Sequence, residues 1–284
     1  MAYVLNFDAE GERFYEVGTK HGVIYPWDAT QQGYGQGVAW NGLTGVTESP
    51  SGGDETSFWA DDMKYFTRRG NEEFGLSIKA FYYPDEFAEC DGTAKLAKGV
   101  RIRQQTRKRF AFTWETTRGN DTEGDAYGSV IHIAYGVTAS PSSKDNSTIN
   151  DSADVSDFTW ECSTTPVTYP GYKPTSVIDI DISDYKDAQT DTDGFDAAVE
   201  WLLETLYGKS DIPEFSATAT YAKGDRVIHG GSGMEAVYEA KAAISEAVAW
   251  NSDNWLKIVD GTVIPARVPS ISEVADHFPA VAAG

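Results

Sequence analysis

Side chains that could do chemistry in this 284-residue chain gather in two runs, one acidic and one basic. The acidic run extends from Asp179 to Asp193 and holds six aspartates. Read as a calcium loop, it puts Asp191, Asp193, Gly194 and Glu200 at the third, fifth, sixth and twelfth positions. Gln189 then stands first and Asp196 eighth, and losing the first carboxylate removes a principal ligand. A polar strand edge leading into a helix N-cap explains the same residues, so no metal site is expected. The basic run is Arg101, Arg103, Arg107, Lys108 and Arg109. A nucleic-acid groove would interleave such cations with exposed aromatics. Here Val100-Arg101-Ile102-Arg103 alternates, which sets the arginines on the wet face of a strand. The preferred reading is contact with acidic patches on the same or neighbouring subunits.

Catalytic constellations are absent from the sequence. His21, His132, His229 and His277 are scattered, with no zinc-type pair at i and i+4. There is no Gly-x-Ser-x-Gly elbow and no phosphate loop. Gly33-Tyr-Gly35-Gln-Gly37 precedes Val38-Ala39-Trp40, which alternates like a strand instead of opening a helix. Carboxylates are too numerous for any pair to stand out, and no serine or cysteine has a base near it in sequence. Neither catalytic residue nor cofactor is expected. A polysaccharide hydrolase working through buried carboxylates is a third reading with no identifiable acid/base pair.

Charge narrows the partners. The formal net charge is −21, from 44 acidic and 23 basic residues, so the chain is ill suited to wrap a phosphate backbone. Such a surface repels a polyanion and lets it pass without sticking, although acidity for solubility alone explains the composition equally well. Cys90 and Cys162 lie in apolar surroundings and read as reduced, buried thiols of a protein made in a cytoplasm. Met1 to Glu10 lacks the features of a signal peptide. No stretch approaches the ~20 apolar residues of a membrane span.

The elements that must carry these residues are mostly strands. In Arg109–Thr116, Phe110, Phe112 and Trp114 alternate with Ala111, Thr113 and Glu115. Val130–Val137, the Phe158, Trp160, Cys162 set and the Ile178, Ile180, Ile182 set repeat that period. Arg118–Asp125 and Ala139–Asp157 separate them. One dry and one wet face per strand gives two packed antiparallel sheets, a β-sandwich or barrel. Phe195, Val199, Leu202, Leu203 and Leu206 form one helical stripe, with Asp193 as cap and Gly208 as stop, and such a helix packs on a sheet. Ser270-Ile-Ser-Glu273 matches a capping box opening a second, short helix. The fold class is thus all-β dominated with a flanking helix. Residues 211–258 differ, with Tyr221, Tyr238, Trp250 and Trp255 among small residues, and read as a small aromatic-cored β module.

From Gly22 to Tyr169 the chain resembles the major tail proteins of long, non-contractile-tailed phages. The resemblance is carried, in order, by Gly-Val-Ile-Tyr-Pro at 22–26, Gly-Val-Ala-Trp-Asn-Gly-Leu-Thr at 37–44 and Thr-Glu-Ser-Pro-Ser-Gly-Gly at 47–53. Ala-Asp-Asp-Met-Lys-Tyr at 60–65, Phe-Tyr-Tyr-Pro-Asp-Glu-Phe at 81–87 with Cys90-Asp91-Gly92, and Gln-Gln-Thr-Arg-Lys-Arg-Phe at 104–110 follow. Thr-Ile-Asn-Asp-Ser at 148–152 and Ser-Thr-Thr-Pro-Val at 163–167 complete the set. Leu206-Tyr207-Gly208 and Arg267-Val-Pro-Ser-Ile-Ser-Glu-Val274 look like that family's C-terminal end, so 1–210 and 259–284 would form one tail tube domain interrupted by 211–258.

The resemblance implies hexameric rings stacked into a tube around a tape-measure protein, closed by tail terminator and distal tail proteins. DNA would pass through the lumen without specific binding, in a virion tail assembled in the host cytoplasm. Residues 211–258 carry seven acids and four bases, which leaves −18 on the tube domain. The module is similar to small chitin-binding-like modules through Tyr221-Ala-Lys-Gly-Asp-Arg-Val227, Tyr238-Glu-Ala-Lys241 and Trp250-Asn-Ser-Asp-Asn-Trp255. It implies a host-surface glycan as partner, and the alternative function of a carbohydrate-binding adhesin using Tyr221, Tyr238, Trp250 and Trp255. Where carbohydrate-binding members usually carry a further tryptophan, this chain has Ala242 and Ala243. The residue reading therefore puts Tyr238 and Trp255 in the module's core, and the module outside the tube.

Overall fold

The Phe110 and Val130 alternations form the central hairpin of a ten-stranded antiparallel sheet, in a computed structural model that describes residues 7–144, 155, 157–185, 194–231 and 233–279. Its strands, Phe110–Asn120 and Gly124–Ala139, run further than the alternations alone suggest. The separator expected at Arg118–Asp125 shrinks to a turn at 121–123, where Asn120 Oδ1 accepts from the Glu123 backbone N–H at 2.6 Å. Tyr15–Asp28 pairs with Phe110–Asn120 on one side. On the other side of the hairpin the sheet continues through Phe158–Thr164 and Gly75–Ala80 to Leu43–Glu48.

Gly124–Ala139 serves two partners in succession. Residues 130–134 pair with Val177–Asp181, and residues 137–139 pair with Phe158–Thr164. The change of partner falls at a bulge: Phe112 faces Ala134, yet Phe110 faces Val137. Gly136 supplies the extra residue at φ 60°, and a Cβ there would lie 2.4 Å from the Thr165 carbonyl oxygen. Only glycine fits.

The central strands are buried on both faces, which corrects the expectation of one wet face each. Phe110, Phe112, Trp114 and Ala134 point into an inner core with Ile24, Trp40, Ile78, Phe87 and Trp160. Ala111, Ile131, Ile133, Tyr135 and Tyr25 point the other way, under helix α1 (Phe195–Tyr207). Helix α1 presents the expected stripe: Val199, Leu202 and Leu206 are fully buried, with Leu203 packed at the margin. Gly208 ends it at φ 79°, as expected, and Gly194 stands at its N-cap position. Asp193, expected as the cap, and the calcium-loop positions Gln189 and Asp191 lie outside the described residues.

The chain returns to this body after the module. Helix α2 (Ile271–His277) opens with the expected Ser270–Glu273 capping box, and Ile271, Val274 and Phe278 join Val268 against the sheet's outer face. Two buried tyrosine hydroxyls fasten this layer, Tyr25 donating to the Leu206 carbonyl at 2.8 Å and Tyr135 to that of Pro269 at 3.0 Å. Lys209 and Ile264 exchange backbone hydrogen bonds at 3.0 and 2.8 Å, which brings the two ends of the intervening segment together. Its sheet, Arg226–His229, Ala236–Ala240 and Trp255–Asp260, ends two residues past the expected limit at 258.

Removing Leu202, the centre of the helix-to-sheet contact, leaves a cavity facing Ile131 and Ile133. Leu202→Ala is expected to cost ~2–5 kcal/mol in urea unfolding. A loss below about 1 kcal/mol would show that α1 is not essential to the core.

Candidate functional site

The module's rings are spent on each other. Phe215, Tyr221, Tyr238 and Trp250 pack around buried Trp255. Trp250 stacks on His229 at 3.8 Å and on Trp255 at 5.3 Å between ring centroids. Tyr221 meets Trp255 edge-on, and its hydroxyl donates to the Ser216 carbonyl at 3.0 Å. A sugar platform needs an aromatic face open to solvent, and a sheet of three short strands needs a core. The core has taken the rings. Where the further tryptophan would stand, Ala242 and Ala243 line an open groove of ≈ 360 Å³ with Lys241, Ile244 and Glu246. Arg226 bridges Glu239 of the module and Glu204 of α1, which also pairs with Lys209, so the module is tied to the body by charge as well as by chain.

The basic run is not one patch. Val100–Ile102 forms a small hairpin with Ala94–Ala97 in which Val100 and Ile102 are exposed along with Arg101, so the expected division into wet and dry faces is absent. Arg101 and Lys95 pair with Asp85, whose carboxyl they hold below its usual range. Lys108 pairs with Glu89 at 2.5 Å, and the Arg109 guanidinium lies 3.5 Å above the Trp27 ring. Arg107 packs against Gly92, and its Nε is buried without a hydrogen-bond partner among the described residues. Arg103 alone of the five is exposed with no side-chain hydrogen bond or ion pair among the described residues, although its charge acts on Asp91.

Three features had no signal in the sequence. The first is the hairpin of Glu55–Ala60 and Met63–Arg69, which pairs with no other strand among the described residues. Asp61 and Asp62, at φ 52° and 61°, make its two-residue turn, a primed type whose twist suits a hairpin. Phe58, Trp59, Met63, Tyr65 and Phe66 are all exposed along it, Trp59 by 69% and Tyr65 by 70%. Phe58 and Phe66 stack across the strands at 4.7 Å.

The second is a cleft of ≈ 500 Å³ beside Trp40, Leu43 and Tyr207. Two of its lining residues, Lys20 and His21, pair with Glu115, at 3.0 Å and, through Nδ1, at 2.6 Å. Burial opposes its charge, but bonds from Ser129, His21 and Lys20 prevail and hold the carboxyl below its usual range. One ion-paired carboxylate is half of what a glycosidase needs. The third is a group of Glu48, His132 and Asp179 with donor atoms within 4.8 Å of one another. Cys90 and Cys162 are buried as expected, and burial pushes both thiols up to about 12, so they remain protonated.

No known protein family and no curated protein matches the chain in sequence. Among solved structures it is similar to a chain of the sheath–tube complex of an extracellular contractile injection system in its extended state. That likeness has 11% identity and a TM-score of 0.31, over 57% of this chain and 88% of the other. A chain of the sheath/tube terminator of such a system is similar at 10% identity and a TM-score of 0.29, over 62% and 99%. Likenesses of this size carry no argument about function.

Trp255→Ala is expected to destabilise the module by ~3–5 kcal/mol, read as faster proteolysis within 211–264. Retention on chitin beads should be negligible for the wild type. Strong retention that Trp250→Ala abolishes without unfolding the module would restore the glycan platform.

Proposed function

We propose that the chain is a non-enzymatic subunit of a phage tail tube, stacking as hexameric rings that conduct DNA. The observation that carries the reading is the Glu55–Arg69 hairpin. A two-stranded ribbon is marginal alone in water, and this one leaves five large apolar side chains exposed among the described residues. Its tip, Ala60 to Tyr65, is one of the strings on which the tail-protein resemblance rests. A neighbouring subunit would bury those side chains and extend the pairing. The main sheet supports the same reading, since rings of subunits would join its end strands, Leu43–Glu48 among them, into a closed barrel. The −18 of the tube domain would then line a sleeve without sticky sites for phosphate. In that assembly a tape-measure protein would occupy the lumen during growth, with tail terminator and distal tail proteins at the two ends. The module would sit on the outside as decoration.

Electron micrographs of concentrated protein should show rings or tubes. Trp59→Ser combined with Tyr65→Ser should abolish them while the far-ultraviolet circular dichroism and melting temperature of the monomer are retained. A wild type that is strictly monomeric at all salt concentrations would overturn the reading.

Arg103→Glu tests the charged contact separately. Because the side chain is exposed and unpaired, monomer stability should change by less than about 0.5 kcal/mol. Tube yield should fall, and most at low salt, where charge repulsion between subunits is least screened. Normal tubes from this variant would remove the 101–109 region from the interface.

A further inference from the structure

We propose that Glu48, His132 and Asp179 bind one divalent cation of the zinc or manganese type at the open end of the inner core. Three separate strands deliver the donors, which is why no sequence spacing announces them. Asp179 lies directly opposite His132 in the register of Val177–Asp181 against Gly124–Ala139. Glu48 ends the Leu43–Glu48 strand, at the far edge of the sheet, and comes over the same opening.

His132 is prepared as a ligand. Its side chain is only 7% exposed, and the ring stacks on Trp114 at 4.9 Å, which fixes its plane. Nε2 lies 2.9 Å from Thr116 Oγ1, and that hydroxyl donates to Glu16 Oε1 at 2.6 Å. With its own proton committed to Glu16, the hydroxyl can only accept, so Nε2 is the protonated nitrogen. An orienting partner behind the imidazole is the usual arrangement at metal sites. Nδ1 therefore faces the opening, 2.7 Å from Asp179 Oδ1.

The remaining donor is available. Glu48 is exposed and makes no side-chain hydrogen bond or ion pair among the described residues. Asp179 at 2.7 Å, Glu16 at 3.5 Å and Glu48 within 4.8 Å thus surround one imidazole, with no further cation paired to them among the described residues. A cation would relieve that repulsion.

The geometry is within reach of a tetrahedral site. Bonds of about 2.0–2.1 Å put ligand atoms roughly 3.3–3.5 Å apart. The Nδ1–Oδ1 pair must open by somewhat under 1 Å and Glu48 close by at most about 1.5 Å. One imidazole and two carboxylates leave the fourth position to water, and this mixed donor set suits zinc or manganese better than calcium. The Nδ1 proton is released to solvent as the metal–nitrogen bond forms. Affinity should therefore fall as the pH drops and the proton competes for Nδ1.

Calorimetric titration of the full chain with zinc chloride, and with manganese chloride followed by electron paramagnetic resonance, tests this. One ion per chain should bind, weaken on going from pH 7.5 to pH 5.5, and raise the melting temperature by on the order of 5 °C at a hundredfold excess over Kd. Glu48→Gln and Asp179→Asn should each weaken binding at least ~10-fold. Glu48→Gln breaks no side-chain hydrogen bond or ion pair among the described residues and relieves repulsion from Asp179, so it should melt, without metal, near the wild-type temperature or above. Binding unaffected by either variant would place the ion elsewhere on the acidic surface and overturn the proposal, as would no one-to-one binding of either metal up to millimolar concentration.

Discussion

Burial of the Phe110–Asn120 and Gly124–Ala139 hairpin on both faces is the constraint on which the rest of the molecule depends. A strand with two dry faces needs two covers. The inner cover is the sheet itself, curling so that Ile78 and Trp160 meet Phe112 and Trp114. The bulge at Gly136 makes that curl possible by letting one strand pass from Val177–Asp181 to Phe158–Thr164. The outer cover is helical, and half of it comes from the last twenty residues described. Val268, Ile271, Val274 and Phe278 must reach the sheet, so the module between Lys209 and Ile264 has to leave and return at one point.

The two covers also explain the register. Phe112 lies opposite Ala134 on the inner face, and Thr113 lies opposite Ile133 on the outer one. At these two positions a large residue of one strand stands beside a small residue of its neighbour, whereas Trp114 lies opposite His132 and stacks on it. Glu115, caught at the margin of such a face, keeps its charge because Lys20 and His21 reach it. Burial without them would push its carboxyl upward.

This arrangement decides what the sequence could disclose. Period-two alternation located the strands, because large apolar residues recur at every second position. It misassigned the second faces, because Ala111, Thr113 and Ala134 look like solvent-facing residues until a helix or an aromatic ring lies on them. Helix stripes, the Ser270 capping box and the aromatic core of the module were legible, since each depends on neighbours within a few residues. The Glu48, His132, Asp179 group was not, because 131 residues and a curled sheet separate its first and last members. Nor was the exposure of Phe58, Trp59, Tyr65 and Phe66: two adjacent aromatics in each strand put apolar rings on both faces of the ribbon, and their exposure depends on which parts of the chain fold over it.

Charge and apolarity oppose one another in the proposed tube, and the balance indicates where subunits would meet. Bodies of −18 repel each other over roughly a Debye length, about 8–10 Å at physiological salt. The few cations give little compensation, since Arg101 and Lys108 are already paired to acids of their own chain and Arg109 to Trp27. Attraction must then come from apolar area, which ionic strength does not weaken. Most large apolar side chains of the body are consumed by the two cores, whereas the Glu55–Arg69 hairpin keeps five of them outside. Such a ribbon projects its contact away from the charged body, so the rings on it can be buried while the bodies remain apart. A tube built this way would hold its subunits through narrow apolar joints and keep its acidic wall unneutralised, the condition under which a phosphate backbone can slide along it.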